Sequence, residues 1–110
     1  METNTLNIIT DKLKELKPLK IILFGSRANN IQSESSDYDI YVLLDNDVLM
    51  ETYEDKINLK LKVRKQLGEI NYTTPIDLIV HTKPTYEKFI NTSFAKNIFQ
   101  NCVSLYEKVN

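Results

Sequence analysis

From Lys20 to Asp45 the chain reads Lys-Ile-Ile-Leu-Phe-Gly-Ser-Arg-Ala-Asn-Asn-Ile-Gln-Ser-Glu-Ser-Ser-Asp-Tyr-Asp-Ile-Tyr-Val-Leu-Leu-Asp. Lys20 to Phe24 is a short apolar run, rich in β-branched isoleucine and ended by Gly25, which predicts a buried strand rather than a piece of helix. Ser26 to Ser36 is polar, contains Asn29-Asn30 and Ser33-Glu34-Ser35-Ser36, and lacks sustained apolar periodicity, so it reads as a short helical turn and a loop. Loops held by a rigid scaffold often carry function. Asp37 to Asp45 then gives a second strand whose acidic residues stand at its ends and whose middle is core.

Working outward, Leu6, Ile9, Leu13 and Leu16 are three, four and three residues apart, which lines one face of a helix beginning near Thr3 or Asn4. Pro18 stops it. Leu49 to Leu67 has no Gly or Pro and carries Met50, Tyr53, Ile57 and Leu61 at helical spacing, with Leu59, Val63 and Leu67 beside them. It predicts a long amphipathic helix with a wide apolar stripe. After Gly68 and a turn around Asn71 to Thr74, Pro75 to His81 is a third strand, with Pro75 at its edge where the missing N–H is tolerated. Pro84 suits the first turn of a further helix. Phe89 to Val109 reads as one or two helices, although Cys102 to Tyr106 fits a short closing strand equally well. The order helix, strand, strand, helix, strand, helix argues for a small α/β or α+β sandwich. No repeat or linker divides it, so residues 1–110 are expected to form a single domain.

Composition narrows the classes. The chain has 110 residues, 42% hydrophobic and 26% charged, ordinary for a folded globular domain and far from disorder. Fourteen basic residues face fifteen acidic ones, a net charge of −1, so no global field favours nucleic acid or an anionic membrane. The longest apolar run, Ile21 to Phe24, is too short to span a bilayer, and Met1-Glu2-Thr3-Asn4 does not begin a signal peptide. The single cysteine, Cys102, allows no intrachain disulfide and no cysteine-rich zinc site. A cytoplasmic setting is expected.

Three carboxylates stand out. Strand side chains alternate, so Asp37 and Asp39 project from one side with Cα atoms roughly 6.5 to 7 Å apart. Such a pair repels, which raises one pKa or calls for a cation. Hard cations such as magnesium take oxygen ligands and share one or two carboxylates with substrate phosphates. Asp77 is isolated among Ile76, Leu78, Ile79 and Val80, where a buried unpaired charge is costly; an exposed edge strand is the alternative. Gly25 and Ser26 end the first strand before a helical turn, a place where backbone N–H groups and the positive helix end hold a phosphate. Arg27 adds a fixed cation suited to pyrophosphate. Taken alone, each signal has a plainer explanation: solvated turn chemistry for the aspartates and an ordinary turn for Gly-Ser.

Spacing changes this. Ten residues, Arg27 to Ser36, separate Gly25-Ser26 from Asp37-x-Asp39, a combination chance supplies in about one chain per thousand of this length. The arrangement resembles the signature of the polymerase-β-like nucleotidyltransferases, and the chain's length and extent resemble their minimal nucleotidyltransferase (MNT) branch. The resemblance implies a small mixed β-sheet flanked by helices. It assigns the triphosphate to Gly25, Ser26 and Arg27, two Mg2+ ions to Asp37 and Asp39 with Asp77 joining them, and ATP as the substrate. Where many relatives follow Gly-Ser-Arg-Ala with Arg-Gly, this chain has Asn29-Asn30, one cation fewer. MNT chains are typically paired with a HEPN-type helical toxin, which the resemblance makes the expected partner and acceptor, this chain being the antitoxin that adenylylates it. The rival from another class is a binding module that neutralises its partner by contact alone. A phosphate-accepting receiver domain fits less well, because here the first strand ends in Gly-Ser-Arg rather than in acidic residues.

Three further features have plain readings. The lysines and Arg64 of the long helix are balanced by Glu51, Glu54, Asp55 and Glu69 and read as a solvated face. His81 falls on the same strand face as Asp77, with surface placement the simpler expectation. Phe89, Phe94, Phe99 and Tyr106 are expected to pack the core or a partner.

Overall fold

The computed structural model describes residues 2–25, 27–28 and 37–109. Its elements in chain order are α1 (Glu2–Lys14), β1 (Lys20–Phe24), β2 (Tyr38–Leu43), α2 (Tyr53–Leu67), α3 (Ile70–Thr73), β3 (Ile76–His81), α4 (Lys83–Phe89), α5 (Ser93–Gln100) and β4 (Val103–Glu107). The strands form one mixed sheet in the order β3-β2-β1-β4. β1 lies antiparallel to both β2 and β4, and β2 is parallel to β3. A parallel pair needs a crossover, and α2 with α3 supplies it. The fold is thus the α/β sandwich that the sequence predicts.

Each sheet face has its own helices because the strands alternate. Ile21 and Leu23 of β1, Ile40 and Val42 of β2, and Ile76, Leu78 and Val80 of β3 pack against Ile9 and Leu13 of α1 and Val63 and Leu67 of α2. The other face presents Ile22, Tyr41, Leu43 and Ile79 to Tyr86 and Phe89 of α4 and Phe99 of α5. Burying one such side chain contributes about 1.5–3 kcal/mol.

The ends of elements follow local chemistry. α1 finishes at Lys14, and Lys17 takes a left-handed φ of 54° before Pro18. α2 begins at Tyr53 rather than at Leu49, because Thr52 and Asp55 form a reciprocal cap: Asp55 N–H donates to Thr52 Oγ1 at 3.0 Å and Thr52 N–H donates to Asp55 Oδ2 at 3.3 Å. The cap stops the helix from extending back through Val48 to Met50. Within α2 the apolar stripe divides. Leu59, Val63 and Leu67 turn to the core, whereas Tyr53, Ile57 and Leu61 face out, a correction to the single wide stripe. The C-terminal segment holds both a helix, α5, and the closing strand, which pairs along β1 as β4. The turn around Asn71 winds into α3.

Candidate active site

Phe24 lies opposite Asp39 across the antiparallel pair, and Asp39 lies opposite Asp77 across the parallel one. Register partners point to the same face, and neighbouring strands stand about 4.8 Å apart. Asp39 and Asp77 therefore leave the sheet side by side, on the face that carries Tyr41 and Ile79 further along. Asp37, two residues before Asp39, belongs to that face by alternation. Asp37 and Asp77 are exposed and Asp39 is half-buried. Burial, then Asp77, then Asp37 push the Asp39 pKa above the ordinary carboxylate value. Asp39 thus senses both other carboxylates at the end of the sheet where β2 and β3 begin.

Gly25 stands against Asp39 from the other side. Its φ is +78°, and a Cβ there would collide with Asp39 Oδ2 and lie 3.0 Å from its Cγ. Only glycine accommodates both the left-handed turn and the carboxylate. The turn closes through Ala28 N–H donating to Gly25 C=O at 3.2 Å. The Arg27 guanidinium lies over the Tyr38 ring, 3.9 Å from its centroid. Cation–π stacking and the planar fork fix its direction. Ser26, Asn29 and Asn30 lie outside the described residues.

Two expectations change here. Asp77 is not a buried charge: β3 is an edge strand, its burial alternates, and Asp77 is exposed between buried Ile76 and Leu78. Its placement opposite Asp39, and not a burial penalty, connects it to the site. His81 is on the predicted face, half-buried among aromatic rings. Its Nδ1 is 3.0 Å from the Tyr41 hydroxyl, its ring meets Phe89 edge-on, and burial, with Lys56 second, lowers its pKa to about 4. Tyr41 also stacks on Phe89 and meets Phe99 edge-on. This aromatic block ties β2 to β3 a few residues beyond Asp39 and Asp77. Its sequence signal was available: Tyr41 and His81 follow the two aspartates by two and four residues, both even spacings. A second clasp has no local sequence signal, because its partners are distant in the chain. Arg64 donates to the Ile76 carbonyl at 2.9 Å and to Asn71 Oδ1 at 3.4 Å, which fixes β3 immediately before Asp77.

The family model for polymerase β nucleotidyltransferases matches residues 7–109. The chain belongs to this nucleotidyltransferase family. It is 34% identical over 87 residues to the putative protein adenylyltransferase MJ0604 of Methanocaldococcus jannaschii, a match covering 79% of this chain and 77% of that protein. Its fold is similar to a putative nucleotidyltransferase from Sulfolobus solfataricus, with TM-score 0.62 and 14% identity over 96% of this chain and 83% of the other. It is also similar to a solved toxin-antitoxin structure with AMP-PNP, with TM-score 0.59 and 22% identity over 94% of this chain and 73% of that one.

In this nucleotidyltransferase, Asp39 and Asp77 bring carboxylate oxygens to the end of the sheet. Among the described residues no three His, Cys, Asp or Glu side chains form a group ready to hold an ion. The donor chemistry nevertheless fits a hard divalent cation: a carboxylate whose pKa is raised by burial and by two neighbouring carboxylates is what a dication relieves. Asp39 is held against Gly25, and the exposed Asp37 and Asp77 keep the rotamer freedom to close on an ion.

Proposed function

We propose that the chain transfers AMP from ATP to a hydroxyl group on a partner protein, with Asp37, Asp39 and Asp77 holding magnesium. The observation that carries this reading is the strand register that sets Asp39 opposite Asp77, with Asp39 held against the left-handed turn at Gly25. The acceptor oxygen attacks the α-phosphorus in line, the bond to the bridging oxygen breaks, and pyrophosphate leaves. Asp37, Asp39 and Asp77 would hold divalent metal, which would supply neutralisation of the charge that develops in the transfer. Asp77, on the exposed edge strand, receives the acceptor's proton. Gly25 gives the triphosphate access to the backbone, and Ser26 and Arg27 steady the charge on pyrophosphate.

The protein acceptor follows from two supports. The relative from Methanocaldococcus jannaschii is named a protein adenylyltransferase, and the solved toxin-antitoxin structure shares this fold. The chain is accordingly the antitoxin of a pair whose toxin is of the HEPN helical type, the pairing that the MNT resemblance implies. The protein encoded beside this chain is the acceptor to test. Incubated with it, magnesium and ATP labelled at the α-phosphate, the wild-type chain labels the neighbour and Asp39→Asn does not. Equal labelling by both overturns the assignment.

A further inference from the structure

α2 carries two apolar stripes roughly 120° apart around its axis, as the 3.6-residue repeat sets them. Leu59, Val63 and Leu67 face the sheet. Tyr53, Ile57 and Leu61 follow one another at four-residue intervals on the outside, exposed by 78%, 37% and 56%. Tyr72 of α3 extends this surface with 89% exposure. Leu61 and Tyr72 share a hollow with Arg64, Lys65 and Asn71. A helix in a small domain needs one stripe for its own core. A second one, continued onto the next element, is a surface awaiting another molecule.

Its charge identifies what it meets. α2 holds five basic residues, Lys56, Lys60, Lys62, Arg64 and Lys65, against Glu54 and Asp55, in a chain of net charge −1. Asp55 is occupied by the Thr52 cap. Lys56 and Lys60 flank the outer stripe on one side, and Lys65 with Glu54 on the other, so the rim is basic on balance. A second copy of this chain would set basic rim against basic rim. A nucleic acid would use the lysines and leave Ile57 and Leu61 in water. Position adds to this. Arg64, at the edge of the stripe, grips the carbonyl of Ile76, the residue before Asp77. The C-terminal half of α2 therefore lies at the end of the sheet where β3 begins.

We infer that this outward face of α2, centred on Ile57 and Leu61 with Tyr53 and Tyr72 at its ends, docks the acceptor protein through an amphipathic helix whose apolar side chains are rimmed by carboxylates. The inference rests on the acceptor being a protein, as proposed above. Helices bind in this way through anchors at three- and four-residue spacing. The apolar anchors hold the complex, and the lysines speed its formation.

The test uses the full chain and the purified neighbouring protein. Calorimetry without nucleotide is expected to show a complex that Ile57→Asp with Leu61→Asp weakens about 100-fold, the loss of two buried anchors. Labelling by that variant slows through the KM for the acceptor, while the KM for ATP and the thermal midpoint stay unchanged. Lys60→Glu with Lys65→Glu slows association about tenfold and reduces its salt dependence. Labelling and binding unaffected by the apolar pair overturn the docking surface and leave the transferase reading in place. A complex sensitive to the pair but never labelled overturns the transferase reading and keeps the surface. Absence of any complex, or a wild-type dimer that Leu61→Asp dissociates, overturns the surface outright.

Discussion

At the scale of single residues, the site depends on one contact, between a glycine and a carboxylate. Gly25→Ala must leave a φ of +78° or displace Asp39, since the added Cβ meets its carboxyl oxygen. Left-handed backbone costs an alanine about 1–2 kcal/mol, and that is the expected loss of stability in denaturant melts. Activity is expected to fall further than this loss explains, because Asp39 must move. Asp39→Asn separates charge from shape. Its carboxyl pKa is raised in the folded protein, so the folded state holds that proton more tightly than the unfolded chain. Ionised Asp39 thus opposes folding, and stability falls as pH rises through the window above 3.8. Asp39→Asn is expected to raise the metal-free melting temperature at pH 7 while lowering transfer at least about 100-fold, since even outer partners of a metal cost 10–100-fold. A variant that is both less stable and fully active would remove Asp39 from the site.

Among elements, what could be read from the sequence was what local pattern determines. The alternation through Asp37-Tyr38-Asp39 predicted the shared face, and the β-branched run at Ile21-Ile22 predicted β1; both depend on near neighbours only. The start of α2 is not legible from hydrophobicity, since Val48, Leu49 and Met50 look helical, while the cap that begins the helix is two polar side chains, Thr52 and Asp55. Which stripe of α2 faces the sheet, and that β3 is an edge, depend on the order of strands, and periodicity does not contain that order. The same holds for His81, whose neighbours Tyr41 and Phe89 come from β2 and α4. Its lowered pKa has a consequence for β2 and β3 as a pair. The unfolded chain takes a proton near the ordinary value of about 6.5, but the folded one only near about 4. Stability is therefore full above the higher value and is lost as pH falls toward the lower. Discounted for partial exposure, the loss is about 1–2 kcal/mol. His81→Phe gives up the Tyr41 hydrogen bond, about 1 kcal/mol, and with it this acid sensitivity. It is expected to be less stable than wild type at pH 7, the difference closing by pH 4 in denaturant titrations. A gap that stays constant with pH would show that His81 titrates normally.

For the molecule as a whole, Asp39, a carboxylate that opposes folding when no ion is bound, makes the fold responsive to ligand. β1, β2 and β3 meet at this end of the sheet, so an ion and a triphosphate bound there join three strands and the turn at Gly25. A ligand that binds only the folded state at 100 times its dissociation constant adds about 2.7 kcal/mol. In a domain of this size each kcal/mol shifts the midpoint by about 4–8 °C. Magnesium with a non-hydrolysable ATP analogue is therefore expected to raise the melting temperature by about 10 °C or more, and a chelator to reverse the rise. Asp77→Asn should diminish the shift and Asp39→Asn abolish it, whereas Lys65→Glu on the opposite side of β3 should leave it unchanged. Protons compete for the same oxygens, so the wild-type shift must shrink as pH falls into the titration range of Asp39. A shift that survives in Asp39→Asn, or is constant down to pH 4, would locate the nucleotide away from these strands.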